Sequence, residues 1–82
     1  MYEVIMPKTG MYEGDVILVE WLVPDGGQVT AGEPLFIMES DKVEMEIDAD
    51  IDGWIQHEAE PGLEGPIGTR IGVIHEGGPS GG

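Results

Sequence analysis

From Val43 to Asp52 the chain alternates without a break: Val43, Met45, Ile47, Ala49 and Ile51 are apolar or small, while Glu44, Glu46, Asp48, Asp50 and Asp52 are acidic. A period of two is that of an extended strand whose successive side chains face opposite ways, so the stretch predicts a half-buried β-strand with one solvated face. The apolar run "LFIME" (residues 35–39) predicts a strand before it, and the polar Ser40, Asp41 and Lys42 between the two predict a hairpin with Lys42 at or beside its tip. "YEVIMP" (2–7) and "DVILVEWLV" (15–23) read as two further strands joined by the glycine-containing "KTGMYEG", and "GWIQHEA" (53–59) and "RIGVIHE" (70–76) as two more around the Gly/Pro segment 61–68. "PDGGQVTAGEP" (24–34) reads as turn chemistry around Val29. Only residues 35–52 form a long stretch free of Gly and Pro, and they alternate with period two, which leaves no place for a long helix.

These elements repeat. Gly26, Gly32, Leu35, Ile37 and Met38 recur 36 residues later as Gly62, Gly68, Ile71, Val73 and Ile74, each in a turn-then-strand context. Two similar halves, neither able to bury its apolar face alone, predict a pseudo-symmetric all-β sandwich or flattened barrel. The halves meet at the Lys42 hairpin.

Composition narrows the function. With 82 residues the chain is one small domain, expected over 1–76, with "GGPSGG" at 77–82 as a flexible linker or an added tail. A core of this size supplies a few kcal/mol of net stability and leaves no room for a deep substrate cleft. Three cations against 17 acids give a net charge of −14, which makes nucleic acid and anionic membranes poor partners. There is no apolar run near the ~20 residues of a membrane span and no export signal, so the expected location is the cytoplasm of a bacterium or, in a eukaryote, the mitochondrial matrix. The chain has no cysteine, so redox chemistry has to come from something attached or bound.

Several constellations compete for the acidic stretch. "DADIDG" (Asp48, Asp50, Asp52, Gly53) matches the first half of an EF-hand calcium loop, but the twelfth position is Ala59 instead of a bidentate carboxylate, and flanking helices are not predicted. In a strand the three aspartates would project along one face and could not wrap an ion, so no metal is expected. A catalytic lysine needs burial or nearby cations to lower its pKa. Glu39, Asp41 and Glu44 would instead favour its ammonium form. His57 and His75 fall in separate predicted strands and read as ordinary strand histidines, and Trp21 and Trp54 as core or core-edge residues. What remains is a lysine held out on a hairpin tip as a point of covalent attachment, on a domain that is not itself an enzyme.

"ESDKV" (39–43) resembles the modification site of lipoyl domains, in which the lysine, here Lys42, carries lipoate in amide linkage. "MPKTGM" near the N-terminus, "VEWLVPDGGQVTAGEPL" and Gly53, 11 residues after the lysine, are similar to lipoyl domains of the acyltransferase (E2) component of 2-oxo acid dehydrogenase complexes. The resemblance runs from about Tyr2 to Glu76. It implies a flattened barrel of two four-stranded antiparallel sheets related by a pseudo-twofold, with the lysine in a tight turn flanked by Glu39, Ser40, Asp41 and Val43 as recognition context for a lipoate ligase or lipoyl transferase. It also implies a swinging arm that carries acyl groups and electrons between the decarboxylase (E1), the acyltransferase core (E2) and the dihydrolipoyl dehydrogenase (E3), on a module that is monomeric in isolation. The loop Thr9, Gly10, Met11, Tyr12, Glu13, Gly14 and Asp15 would lie near the lysine turn and help the decarboxylase recognise its carrier. Three positions depart from the family pattern: Asp50 stands where proline is frequent, Gly65 where the second-half turn usually has valine, and Ser40 where threonine is common. The related biotinyl domain places its lysine between two methionines; here Asp41 and Val43 flank it, which favours lipoate. A biotinyl carrier or an acidic calcium-binding module are the alternatives.

Overall fold

A computed structural model describes residues 1–8, 14–41 and 43–76. Eight strands occur among them and no helix: β1 Tyr2–Ile5, β2 Val16–Trp21, β3 Gln28–Val29, β4 Pro34–Ser40, β5 Val43–Asp48, β6 Gly53–His57, β7 Glu64–Gly65 and β8 Arg70–His75. They form two antiparallel four-stranded sheets, ordered β1-β8-β6-β3 and β5-β4-β2-β7. Exchanging β1 to β4 for β5 to β8 turns the first order into the second, which is the pseudo-twofold expected from the repeat.

The exchange holds bond by bond. Leu22 N–H donates to the Leu35 carbonyl and Glu58 N–H to that of Ile71, both at 2.9 Å; Gly26 N–H donates to Ile55 and Gly62 N–H to Leu18, both at 2.7 Å. The last pair crosses between halves, because β3 of the first half adds to β6 of the second and β7 of the second to β2 of the first. Each sheet is therefore made of both halves, and neither half has a sheet of its own.

The recurrent glycines set the turns: φ is +83° at Gly26 and +102° at Gly62, +89° at Gly32 and +95° at Gly68. Only glycine reaches this left-handed region without a Cβ penalty, so the turn period is written into the sequence. The repeat also sorts the apolar residues. Leu35 with Ile71, and Met38 with Ile74, point into the core beside Met6, Leu18, Phe36 and Ile55. Val73 is buried as well, whereas its counterpart Ile37 is half-buried.

The structure departs from the sequence expectation at three places. Gln28–Val29 and Glu64–Gly65, read as turns, are two-residue strands β3 and β7. Gly65, expected in a turn, accordingly pairs with Val16 in a sheet. The alternation through Asp52 outruns its strand: β5 ends at Asp48, and Ala49 to Asp52 form a turn. Ala49 stays buried and Ile51 packs on the core, so inward and outward positions persist after the sheet hydrogen bonding stops. Residues 77–82, expected as tail, lie outside the described residues.

Candidate functional site

β4 and β5 are paired along their length, from Pro34 opposite Asp48 to Ser40 opposite Val43. Ser40 thus belongs to β4 and is not part of the turn; at 5% exposure it is the buried polar residue among those described, turned inward beneath the hairpin. The connection is two residues long, Asp41 and Lys42. Lys42 itself lies outside the described residues. Its neighbours define the place: Asp41 has φ +49° and Val43 is 57% exposed. A two-residue hairpin of primed type needs positive φ at its first central position, and aspartate is one of the few non-glycine side chains that accept it. None of the described residues flanking the tip, Glu39, Ser40, Asp41, Val43 and Glu44, is a cation. Such a projecting turn, open on both flanks, suits an amide-linked group that has to be reached from outside.

Cross-strand pairing puts Glu39 opposite Glu44 just below the tip. Ile17 on β2 pairs with Glu39, so the start of β2, preceded by Gly14 and Asp15, stands at the same end of the sheet as the hairpin. Of the loop expected to guide a partner, Gly14 and Asp15 are described and exposed, while Thr9, Gly10, Met11, Tyr12 and Glu13 lie outside the described residues. The N-terminal strand begins at the other end: the Tyr2 hydroxyl donates to Asp50 Oδ2 (2.6 Å), just beyond the Pro34–Asp48 end of the β4–β5 pair. Seven residues of β4 separate the two ends, about 20 Å at the rise of a strand.

The acidic stretch does not act as one face. Asp48 ends its strand exposed, Asp50 accepts the Tyr2 hydroxyl, and Asp52 Oδ1 accepts the Ala31 N–H (2.8 Å). The expected row of three aspartates along a strand is thereby corrected. The last two brace the turn against β1 and against the Thr30–Ala31 turn, and the three carboxylates are parted by these contacts and do not converge. Among the described residues no group of three or more His, Cys, Asp or Glu is placed to hold a metal. The Asp50 bond holds the Tyr2 hydroxyl above its ordinary pKa of 10.0, chiefly because the bond needs the proton.

Both histidines are spoken for. His57 stacks on Trp21 with ring centroids 4.1 Å apart, and its Nε2 donates to the Val23 carbonyl (2.9 Å). His75 stacks on Trp54 (4.2 Å), with Nε2 2.7 Å from Gln56 Oε1. Trp21 packs edge-on against Phe36, and its Nε1 donates to the Ala59 carbonyl (3.0 Å). Trp54 is only half-buried and lies off the core. Sequence reasoning saw the four residues singly; the two stacks come from cross-strand placement, which no local signal reveals. The bidentate pair of Arg70 with Glu58 (2.6 and 2.8 Å) was likewise not foreseen. The Arg70 hydrogen bonds hold the Glu58 carboxyl below its ordinary 4.5.

Comparison with known proteins matches residues 2–61 to the biotin/lipoyl family model, described as "biotin-requiring enzyme". A chloroplastic dihydrolipoyllysine-residue acetyltransferase component 5 of pyruvate dehydrogenase complex from Arabidopsis thaliana is 31% identical over 90% of this chain and 16% of its own length. The mitochondrial pyruvate dehydrogenase complex protein X component of Chaetomium thermophilum is 37% identical over 80% of this chain and 15% of its own. The dihydrolipoyllysine-residue acetyltransferase component of the acetoin cleaving system of Cupriavidus necator is 29% identical over 87% of this chain and 19% of its own. The chain thus spans less than a fifth of the length of these relatives. By the extent of the family match, the two-sheet fold and the hairpin whose described ends Asp41 and Val43 are exposed, this chain belongs to the biotinyl/lipoyl attachment family, as the lipoyl domains of acyltransferase components do.

Proposed function

We propose that the chain is a lipoyl carrier domain, with lipoate in amide linkage to Lys42, that serves a larger acyltransferase assembly. The observation that supports this is the tight connection between Ser40 and Val43, at the far end of the sheet from the start of β1, together with the sequence "SDKV" at that connection. Bound there, lipoate supplies a dithiolane for acyl and electron transfer, which the chain's own residues do not offer, since it has no cysteine. The domain's part is to present the amine, to keep it away from the chain end by about 20 Å, and to stay unsticky. A surface of net charge −14 favours short encounters and fast association with basic active-site mouths. Tethering in a longer chain would raise the local concentration of the arm at each partner site. Gly14 and Asp15, at the hairpin end, extend the recognition surface toward the decarboxylase. The relatives' names point to acetyl groups as the cargo.

The test is intact mass after co-expression with a lipoate ligase, followed by peptide mapping. A single lipoyl adduct on Lys42 is the expected result. An adduct on the exposed Lys8 would sink the assignment, and so would preferential biotinylation when a biotin ligase is supplied instead.

A further inference from the structure

β1 and β5 are the facing edge strands of the two sheets, and between them the sandwich stays open as a slot of about 400 Å³. Phe36 and Ile74, both buried, form its floor, and Val4, Ile5 and Ile47 its walls. The Tyr2–Asp50 hydrogen bond closes the end remote from the hairpin. Toward the hairpin the slot continues as an apolar row: Val43, Met45 and Ile47 share one face of β5 by strand periodicity. Val43 heads this row at 57% exposure, and Ile5 at the slot is 41% exposed, so two of the large apolar side chains left in water lie on this path. Five residue steps from position 42 to Ile47 make about 16 Å at the rise of a strand. A lysine side chain extended by lipoate spans some eleven bonds from Cα to the ring, about 14 Å when extended, and the ring adds about 3 Å. The arm is thus long enough to lie along the row and put its ring in the slot.

We propose that the slot between β1 and β5 is the resting seat of the lipoyl arm of Lys42, entered along Val43, Met45 and Ile47. The inference rests on lipoate being attached at Lys42. The rim of the seat is acidic, with Glu3, Glu46, Asp48 and Asp50 around it and no cation among the residues lining it. A carboxylate brought among four others is repelled at short range. The seat therefore takes the uncharged ring or a neutral acyl cargo, and it rejects a cargo that ends in a carboxylate.

The test compares NMR spectra of the domain with and without lipoate, once mass spectrometry has shown a complete adduct on Lys42. Shift changes are expected at Val4, Ile5, Phe36 and Ile47 as well as at the hairpin. They should vanish in lipoylated Ile5→Trp, which fills the slot, and shrink in Val43→Ser, which removes an exposed side chain and leaves the core untouched. Reduction of the ring by a water-soluble phosphine should be several-fold slower in the parent domain than in either variant. Changes confined to residues 39–44, with equal reduction rates, would overturn the seat while leaving the adduct on Lys42 intact. Absence of the adduct would overturn the attachment itself, and it would be seen before any shift is read. On the reduced arm an acetyl thioester should keep the slot shifts and a succinyl thioester lose them; equal shifts for both would overturn the cargo class.

Discussion

Asp41 is the residue on which presentation of the lysine turns. Its φ of +49° costs an ordinary side chain about 1–2 kcal/mol, and aspartate less, because its short carboxylate bonds locally. Asp41→Asn should therefore leave both fold and lipoylation rate nearly unchanged, whereas Asp41→Val should lower the melting temperature by several degrees and slow lipoylation, as calorimetry and timed mass spectra will show. Arg70 and Glu58 yield a prediction in pH. Arg70 holds the folded-state carboxyl below its ordinary 4.5, so the pair's contribution is fully present above that pH and is lost as pH falls through the lower folded value. Arg70→Gln should melt below the parent at pH 7, and the gap should close as pH drops below 4.5; a gap that persists at pH 2 would assign the loss to packing of the arginine stem. Asp50 and Asp52 show how far a residue's role can lie from its local pattern. Both extend the acidic alternation, yet each is fixed by a partner remote in sequence, Tyr2 and Ala31.

At the scale of elements, the paired strands β4 and β5 set the hairpin register. In the shift variant Lys42→Ala with Asp41→Lys, the amine moves one place along a hairpin whose side chains alternate in direction. Lipoylation should then nearly stop and melting should fall by a few degrees, since lysine takes the φ of +49° less readily than aspartate, while circular dichroism stays that of the fold; equal modification rates would show that location on the turn does not matter. β6 and β8 give the complementary case. A Cβ at Gly53 would run into the backbone carbonyl of His75, and neither strand can retreat without breaking the pairing of Trp54 with His75. Gly53→Ala should cost about 1–3 kcal/mol, the range for overpacking, read as a lower urea midpoint at unchanged slope. The longer strands were legible because runs of β-branched and apolar residues, and in β5 an alternation, bounded by turn residues, leave little ambiguity. β3 and β7 were not, since two residues carry no period; they are strands only because the other half of the molecule supplies the partner.

Over the whole molecule, attachment should act on charge more than on stability. Lipoylation removes the Lys42 ammonium, taking the formal charge from −14 to −15, and an exposed lysine–carboxylate contact is worth only ~0–1 kcal/mol. Modified and unmodified domains should melt within a few degrees of each other, the modified form eluting later from an anion exchanger; a weakly held arm in the slot fits this, and a gain of many degrees would mean an arm too firmly docked to travel. Millimolar calcium should leave melting unchanged, whereas a specific site saturated ~100-fold above its Kd would add about 2.7 kcal/mol. The glycine period and the apolar alternation by themselves determined the two-half β fold and the hairpin, and "ESDKV" is the basis for proposing Lys42 as the attachment point, because each is a local demand: a left-handed turn, a two-sided strand, a short tip. Tertiary structure alone decided which strands pair across the halves, where the acidic alternation stops being a strand, the Trp–His stacks and the slot between β1 and β5, because these depend on contacts between residues far apart in the chain, on which local periodicity is silent.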